Sequence, residues 1–312
     1  MTKRAFLFPG QGAQKVGMGQ ELFATEAEAQ NLLHQADEIL GLSLSAMILD
    51  GPEEDLKRTA YAQPALVTMS AAVLSLFQSA GIRADYVAGH SLGEYSALFA
   101  SEAVSFQDTV RLVHERGKLM EQSVPNGRGT MAAVLGLEQA TLESIVAQVS
   151  NGNEVVELAN LNCPGQIVIS GTKAAVEAAG EKAKEAGARR VMPLAVSGPF
   201  HSSLMKPAAE KFAQVLAETD VATLRTPLIS NVSADVVTLP EVVRTQLVEQ
   251  IYSPVRFEES IRRMIALGVD TFIEIGPGNV LTGLVRKIDR SMNAFSVQDK
   301  ASFTKTMEAL SS

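Results

Sequence analysis

The residues best suited to chemistry are a serine and its neighbours, Gly89-His90-Ser91-Leu92-Gly93. This G-x-S-x-G pattern is typical of a serine on a sharp turn between a strand and a helix, with its hydroxyl held clear of the backbone. The helix that follows would point its free N–H groups at the oxyanion formed when the hydroxyl attacks a carbonyl carbon. The pattern therefore predicts a nucleophile. The alternative is an ordinary glycine-rich turn that happens to contain a serine.

A serine hydroxyl needs a base at neutral pH, and the chain contains four histidines. His34 lies in a polar helical segment, His90 adjoins the serine on its tight turn, and His114 falls on the charged face of a predicted helix. Each of these three is better explained as a structural or exposed residue. His201 lies instead at the junction of two predicted subdomains, where ligand-binding clefts form, and we predict that it is the base.

A catalytic histidine is normally oriented by an acceptor at its second ring nitrogen. Asp235 and Asp270 have the right chemistry for this role, but neither stands in an informative context. In α/β-hydrolases the acid and then the histidine follow the serine, often with the histidine near the C-terminus. More than a hundred residues follow His201 here, which counts against the common hydrolase fold.

Two backbone N–H groups are expected to hold the oxyanion. One is the N–H of Leu92, directly after the serine. The second would come from a loop at the carboxyl end of a neighbouring strand, and the loop Pro9-Gly10-Gln11-Gly12 follows the first predicted strand. An ordinary glycine turn explains that loop equally well.

One charged residue stands on the apolar face of the helix predicted over 106–120. The apolar residues at helical spacing are Phe106, Val110, Val113 and Met120. Arg116 falls on the same face. An inward arginine is rarely left unpaired, so it either forms an internal salt bridge or binds an anionic ligand. Its planar guanidinium suits a carboxylate, which it can bind bidentately.

Composition limits the class of protein. The chain has 312 residues, of which 46% are hydrophobic, so it can bury a large core. Its net charge of −8 argues against general binding to nucleic acid or to an anionic membrane. With Cys163 as the only cysteine, no internal disulfide is possible, and the scattered histidines show no metal-ligand spacing. The first apolar run is too short for a signal peptide, which favours a cytoplasmic protein.

The elements that must position these residues alternate between strands and helices, which favours an α/β fold with a parallel sheet. In the larger part of the chain, strands are predicted at 5–8, 86–88, 227–232 and 271–275. Helices are predicted there at 26–40, 64–78, 94–100, 106–120, 202–218, 241–251 and 257–267.

A middle segment has a different pattern. Strands are predicted at 130–135, 155–159, 166–170 and 190–196, with helices at 138–149 and 173–186. The order β-α-β-β-α-β is that of a ferredoxin-like unit. We therefore predict a hydrolase-like large subdomain formed by 1–127 and 197–312, with a ferredoxin-like small subdomain, 128–196, inserted into it. The flanking linkers are Pro125-Asn126-Gly127 and Ser197-Gly198-Pro199.

Together these motifs resemble the malonyl-CoA:acyl-carrier-protein transacylases of bacterial fatty acid synthesis, which are related to polyketide synthase acyltransferase domains. The resemblance covers essentially the whole chain. It is carried by six motifs in order: Phe8-Pro9-Gly10-Gln11-Gly12-Ala13-Gln14, Gln63-Pro64-Ala65, Gly89-His90-Ser91-Leu92-Gly93-Glu94, Gly198-Pro199-Phe200-His201-Ser202, Asn231-Val232-Ser233 and Glu274-Ile275-Gly276-Pro277-Gly278.

The resemblance implies roles for individual residues. Ser91 would be the nucleophile and His201 its base, oriented by an oxygen near Gln250 in place of an acidic side chain. Gln11 and Leu92 would supply the oxyanion-hole N–H groups. Arg116 would bind the free carboxylate of a malonyl group, and the bulky Phe200 would crowd an α-methyl group. The remaining residues implied for the substrate pocket are Gln63, Met120, Asn160, Phe200 and Asn231.

The implied reaction is ping-pong transfer of malonyl from malonyl-CoA to the phosphopantetheine thiol of holo acyl carrier protein. Coenzyme A thioester is then a substrate, and no permanent cofactor or metal is expected. Three alternatives stay open: a serine esterase or patatin-like lipase, a non-catalytic binder of acyl-CoA or carrier protein, and a stand-alone polyketide-pathway acyltransferase. A monomer is expected.

Carrier proteins of this kind are acidic, as this chain is, so docking would need a local basic surface. The candidate residues are Lys182, Lys184, Arg189, Arg190, Arg262, Arg263, Arg286 and Lys287. For any one of them, an ordinary solvated helix face is the competing explanation.

Overall fold

Two β-sheets organise the chain in the computed structural model, which describes residues 3–123, 127–196 and 198–311. The larger sheet has six strands: β1 (Lys3–Phe8), β2 (Tyr86–Gly89), β7 (Leu228–Ile229), β8 (Val236–Val237), β9 (Val269–Ile275) and β10 (Asn293–Val297). Their order across the sheet is β10-β9-β1-β2-β7-β8. All neighbours are parallel except β7 and β8.

The register of the central strands brings two predicted site loops together. Phe8 at the end of β1 is paired with Gly89 at the end of β2. The backbone N–H of His90 donates to the Phe8 carbonyl at 3.0 Å. The loop after β1 and the turn after β2 therefore leave the same edge of the sheet side by side, which is where α/β sheets bind ligands.

Helices cover the sheets and connect their strands. Those of the larger part are α1 (Gln20–Thr25), α2 (Ala27–Leu40), α3 (Leu44–Asp50), α4 (Glu53–Leu56), α5 (Thr59–Ser79), α6 (Gly93–Ala100), α7 (Phe106–Gln122), α10 (Lys206–Ala217), α11 (Pro240–Gln250), α12 (Phe257–Ala266), α13 (Val280–Ile288) and α14 (Lys300–Ser311). A short 3-10 turn, Ser203–Met205, precedes α10.

The second sheet has the predicted ferredoxin-like order. Its elements are β3 (Gly129–Leu135), α8 (Gln139–Val149), β4 (Val156–Cys163), β5 (Gln166–Thr172), α9 (Lys173–Glu185) and β6 (Arg190–Pro193). The strands are antiparallel in the order β4-β5-β3-β6. Residues such as Val134, Leu142 and Ile169 form a hydrophobic core of their own beneath the two helices.

The predicted α/β fold class, with a mainly parallel large sheet and a separate antiparallel small one, is confirmed by these topologies. The subdomain boundaries at 127/128 and 196/197 stay predictions. The predicted linkers fall partly on residues outside the described ones, namely Pro125, Asn126 and Ser197.

Helix α5 begins five residues before the predicted start, so Pro64 lies inside it. Proline has no N–H, which leaves the carbonyl of Ala60, four residues earlier, without its helical donor. His114 of α7 supplies the missing hydrogen bond through Nδ1, 2.9 Å from that oxygen. The neighbouring Gly117 allows the close approach, since a Cβ there would lie 2.6 Å from the Thr59 carbonyl oxygen. The prediction that His114 lies on a charged face misses this structural contact.

Several predicted boundaries differ from the structure. Strand β4 continues through Cys163, so Asn160 and Asn162 belong to the strand, and the predicted turn from 162 to 165 shrinks to its last two residues. The strand predicted over 227–232 is only two residues long, because the chain turns back into β8. The strands β8 and β10 and the helices α1, α3, α4, α13 and α14 were not predicted. The two strands and α14 have no extended apolar pattern, whereas α13 is amphipathic, with buried apolar residues at 281, 284, 285 and 288.

Among the described residues one helix, α5, is long and apolar enough to span a membrane. Its most apolar stretch is 94% buried within the protein. It is therefore the central helix of the core, packed against α7 and α2.

Candidate active site

The serine turn is constrained from both sides by close backbone contacts. Ser91 has a φ of 51°, a left-handed conformation that L-residues rarely adopt. A Cβ at Gly89 would lie 1.9 Å from the Gly93 carbonyl carbon, and one at Gly93 would lie 2.0 Å from the Phe8 carbonyl oxygen. Only glycine fits at either position. Ser91 therefore lies on a sharp turn between β2 and α6, as the sequence predicts, and its left-handed backbone is an additional feature.

His201 lies directly beside Ser91, although 110 residues separate them in the chain. The Ser91 Oγ and His201 Nε2 atoms are 2.8 Å apart. His201 Nδ1 donates to the backbone carbonyl of Gln250 at 2.7 Å, which leaves Nε2 unprotonated as the acceptor for the serine proton. Burial, together with the charge of Arg116, lowers the pKa of His201 to about 3. The ring is neutral at pH 7 and free to accept a proton.

The other candidates for the base and its orienting acid lie elsewhere. His34 is exposed, and His90 Nε2 donates to Asn162 Oδ1 at 2.8 Å. Asp235 forms an ion pair with Arg263, so it does not orient the histidine. The Asp270 carboxylate accepts from Thr271 Oγ1 at 2.8 Å. The Gln250 carbonyl is the acceptor at His201.

Arg116 is 1% exposed and lies in the same network. Its Nη2 donates to Ser91 Oγ at 3.1 Å and to Gln250 Oε1 at 2.9 Å, and its Nη1 donates to Gln63 Oε1 at 3.0 Å. Its Nε–H has no acceptor within the described residues. No ion pair in that part of the chain includes Arg116, which disfavours the internal salt bridge considered from the sequence.

Helices α5 and α7 deliver the residues around this guanidinium. Gln63 is fully buried on α5, and its Nε2 lies 3.7 Å from the sulfur of Met120 on α7. The Tyr95 ring of α6 lies under the guanidinium, with its centroid 5.3 Å from the guanidinium carbon. Neutral amides and an aromatic face, rather than a carboxylate, therefore hold the buried positive charge.

The expected oxyanion donors lie on the two adjacent loops. A Cβ at Gly10 would lie 2.4 Å from the His90 carbonyl oxygen, so the loop after β1 is pressed against the serine turn. The N–H groups of Gln11 and Leu92 donate to no acceptor in the described part of the chain. The side-chain amide of Gln11 donates to Thr59 Oγ1 at 3.1 Å.

The remaining predicted pocket residues have different surroundings. Asn231 spans the serine turn: its Oδ1 accepts from the Ser91 N–H at 2.7 Å and its Nδ2 donates to the Gly89 carbonyl at 2.6 Å. Asn160 is 6% exposed, and its backbone bridges to Val255. Phe200 is 5% exposed and belongs to the main hydrophobic core. Their roles toward a substrate stay predictions.

Sequence reasoning did not assign two residues that contact this network. Glu94 is 1% exposed, and its carboxylate accepts from the Gln250 side chain and from the Asn231 N–H. A charged residue inside the otherwise buried α6 is the same kind of signal as Arg116, and could have been recognised. Asn162 contacts His90 from the small sheet, and only the longer β4 brings it there.

No group of three or more His, Cys, Asp or Glu side chains that could hold a metal ion occurs in the described ranges. What the site offers is a hydroxyl, a neutral imidazole, free backbone N–H groups and a buried guanidinium. This combination suits nucleophilic attack on an acyl carbon whose substituent carries a negative charge.

Comparisons with known proteins agree with this chemistry. The family model "Acyl transferase domain" matches residues 5–305. The malonyl CoA-acyl carrier protein transacylase of Bacillus subtilis is 54% identical over 99% of this chain and 98% of its own length.

Solved structures give the same result. An acyl carrier protein S-malonyltransferase from Vibrio cholerae is 44% identical, with a TM-score of 0.95 over 98% of this chain and all of that one. A malonyl-transacylase in complex with a type II polyketide synthase acyl carrier protein is 41% identical, with a TM-score of 0.96 over 99% of this chain and all of that one. This chain belongs to the acyl transferase domain family, as do the malonyl CoA-acyl carrier protein transacylases that it resembles along its whole length.

Proposed function

We propose that this chain transfers the malonyl group of malonyl-CoA to the phosphopantetheine thiol of acyl carrier protein, through a malonyl ester of Ser91. The observation that carries the proposal is the buried Arg116, whose Nη2 lies 3.1 Å from the Ser91 hydroxyl and whose Nε–H has no acceptor among the described residues. A buried guanidinium that forms no ion pair within the described residues suits the free carboxylate of a malonyl group.

In the first half-reaction, His201 Nε2 takes the Ser91 proton while Oγ attacks the thioester carbon. The oxyanion would accept hydrogen bonds from the N–H groups of Gln11 and Leu92. Collapse of the tetrahedral intermediate breaks the carbon–sulfur bond, and the departing coenzyme A thiolate takes the proton from His201. The products of this step are malonyl-Ser91 and free coenzyme A.

The second half-reaction reverses these events with a different thiol. His201 deprotonates the phosphopantetheine thiol of the carrier, and the sulfur attacks the ester carbon of malonyl-Ser91. The same N–H groups stabilise the second oxyanion, and Ser91 leaves with the proton held on His201. The His201 ring is neutral at pH 7, which is the state that removal of a proton by Nε2 requires.

For the carrier, we propose that the docking surface includes a basic cavity of about 680 Å³ between β4, β5 and α13. Its cations are Arg189, Arg286, Lys287 and Arg290. All four are exposed, and none forms an ion pair with another described residue. Unpaired, solvent-exposed cations on an acidic protein suit an acidic partner.

Only some of the predicted docking residues line this cavity. Arg189, Arg286 and Lys287 line it, whereas Lys184, Arg262 and Arg263 are neutralised by nearby carboxylates. Lys182 and Arg190 are exposed but lie outside the cavity.

One end of the cavity is close to the active site through β4. Cys163, which lines the cavity, follows Asn162, whose side chain contacts His90 next to the nucleophile. A carrier docked there would have its acidic surface near the four cations.

We further propose that the enzyme works in the cytoplasm as a monomer and supplies fatty acid synthesis. The alternative pathway is polyketide synthesis, because a malonyl-transacylase that is 41% identical to this chain is bound to a polyketide synthase acyl carrier protein. The chemistry is the same in both cases, so rates of discharge onto carriers of the two types would distinguish them.

The experiment that tests the function is intact-protein mass spectrometry after mixing with malonyl-CoA. One malonyl adduct should form, disappear in Ser91→Ala, and discharge onto holo carrier protein. Ser101→Ala, which removes a buried serine just beyond the other end of α6, should form the adduct normally. An adduct lost only to water would favour an esterase, and normal carrier loading by Ser91→Ala would contradict the mechanism.

A further inference from the structure

We infer that Glu94 is a positioning residue for acyl transfer: its carboxylate sets the orientation of the Gln250 amide and, through it, the position of Arg116. This inference rests on the proposed function, because it concerns how the malonyl-binding guanidinium is held beside Ser91. It assigns a task to a buried charged residue that the mechanism above does not use.

Glu94 occupies a position where a carboxylate needs a specific reason. It is 1% exposed, in a helix whose first six residues are all buried. No ion pair in the described part of the chain involves it. Burying a carboxylate is costly unless its oxygens accept hydrogen bonds. Its partners are all donors: the backbone N–H of Asn231 at 3.2 Å, the side-chain amide of Gln250 and the Ser230 hydroxyl.

The Gln250 amide has one donor side and one acceptor side, and the two face different groups. Its Nε2 donates to Glu94 and to the Ser91 carbonyl, the latter at 3.0 Å. Its Oε1 is thereby left to accept from Arg116 Nη2 at 2.9 Å. Both Glu94 oxygens face N–H donors, Oε1 that of Asn231 and Oε2 that of Gln250, and a carboxylate oxygen facing a donor accepts, so Glu94 meets the NH2 side of the amide. A flipped amide would set two donors, Nε2 and the guanidinium, against each other.

Hydrogen bonds link the residues around Glu94 to the catalytic pair, Ser91 and His201. The backbone carbonyl of Gln250 accepts from His201 Nδ1, and Arg116 Nη2 donates to Ser91 Oγ. Glu94 also holds the backbone of Asn231, whose side chain accepts from the Ser91 N–H. One carboxylate therefore connects the segments that carry the nucleophile, the base and the guanidinium.

A second buried carboxylate provides a matched control. Glu274 is fully buried and accepts from the N–H groups of Leu281 and Thr282, at the beginning of α13. Burial raises the pKa of Glu94 to about 7 and also raises that of Glu274. The hydrogen bonds of Glu274 involve none of the residues in the Ser91 network. Neutralising Glu274 reproduces the loss of a buried charge without disturbing Gln250.

The test compares Glu94→Gln with Glu274→Gln, using malonyl-CoA and acetyl-CoA as acyl donors and measuring kcat/KM for acylation of Ser91. Glutamine at 94 places an NH2 group against either Gln250 or Asn231, so one donor is left unpaired. We expect kcat/KM for malonyl-CoA to fall about ten- to a hundredfold, because a buried hydrogen bond beside the guanidinium is lost. Acetyl-CoA, which has no carboxylate, should lose about threefold or less. Glu274→Gln should stay within about twofold for both donors.

A double-mutant comparison tests the connection to Arg116. In an Arg116→Ala background, adding Glu94→Gln should change malonyl acylation by less than about twofold, since the guanidinium that Gln250 positions is gone. Additive losses, or equal losses for both acyl donors, would show that Glu94 only supports the fold, and so would overturn the inference.

If Glu94→Gln does not fold, Glu94→Asp replaces it, because aspartate keeps an acceptor-only carboxylate on a shorter side chain. It should show the same malonyl-selective loss, smaller in size, and the same dependence on Arg116. Wild-type malonyl transfer by either variant would overturn the role of Glu94. A wild-type enzyme that forms no malonyl adduct would instead contradict the proposed function, and the inference would fall with it.

Discussion

The positive charges that we propose to act in acyl selection and in carrier docking lie in two regions that differ in burial, in partners and in access to solvent. Arg116 is 1% exposed and is held by neutral amides and an aromatic ring beside the nucleophile. The basic cavity around Arg286 and Lys287 is open to solvent, and no described carboxylate pairs with its cations. The buried cation is enclosed by the protein, whereas Arg286 and Lys287 are exposed and donate to the Ala294 carbonyl and to Gln166 Oε1.

Burial determines how strongly each charge can interact with a ligand. Two unit charges 4 Å apart interact by about 4 kcal/mol at an effective dielectric constant of 20, but by about 1 kcal/mol in water. Salt screens exposed charges over about 8–10 Å and affects buried ones far less. The buried guanidinium can therefore select one acyl group over another. The surface cations can instead speed and orient the encounter with a partner, in a manner that depends on salt.

The largest expected effect is on acyl selectivity at the buried charge. Arg116→Ala should lower kcat/KM for malonyl-CoA by about a hundredfold or more, because a desolvated charge-assisted hydrogen bond to the carboxylate is lost. Acetyl-CoA should be affected much less. The measurement is the rate of Ser91 acylation by each donor.

Arg111→Ala is the control for Arg116→Ala, because Arg111 lies on the same helix but on its exposed face. It should leave both rates within about twofold of wild type. Equal loss for malonyl and acetyl donors in Arg116→Ala would contradict the selectivity role and weaken the contrast between the two regions.

The next largest effect is expected on the free energy of unfolding of the protein at acid pH. The pKa of His201 is about 3 in the folded protein, below its ordinary value of 6.5. The unfolded chain therefore binds a proton that the folded site excludes, and the free energy of unfolding falls as pH drops from 6.5 toward 3. At pH 4.5, two units below 6.5, this amounts to about 2–3 kcal/mol.

The variant His201→Gln lacks the imidazole that binds this proton in the unfolded chain. Between pH 7 and 4.5, wild type should lose about 2–3 kcal/mol more unfolding free energy than the variant, measured by urea unfolding at each pH. Glu94 shifts stability in the opposite direction over the same range, but it is present in both proteins. Parallel pH curves for the two proteins would mean that His201 titrates normally in the folded site.

The smallest effect is expected at the surface cavity. Lys287→Glu with Arg290→Glu should raise KM for holo carrier protein about tenfold at low salt and flatten its salt dependence. Malonyl-CoA acylation of Ser91 should change by less than about twofold. Lys182→Glu with Lys184→Glu makes the same change of charge outside the cavity and should have little effect. Equal effects of the two pairs would remove the cavity as the docking surface.

Much of the fold was predictable because its signals are local. The ferredoxin-like order was recognised from six short segments between 130 and 196, since alternating strands and amphipathic helices leave periodic patterns. Strand β10 and helix α14 were missed because their patterns are weak. The true start of α5 was missed because a proline inside a helix is tolerated only when another residue, here His114, satisfies the freed carbonyl.

The serine turn and the inward position of Arg116 could be predicted from the sequence. A Cβ at Gly89 would lie 1.9 Å from the carbonyl carbon of Gly93, four residues later, and helical spacing turns Arg116 toward the core. These features depend on neighbours along the chain, and so a single sequence contains them.

What surrounds those residues depends on the tertiary structure. Ser91 meets His201 across 110 residues, Arg116 meets Gln250 across 134, and Gln250 meets Glu94 across 156. Local patterns carry no information about such distant pairs. The sheet register, the packing of α5 on α7 and the end of α11 bring them together, and with them the orientation of each amide and the pKa of the base.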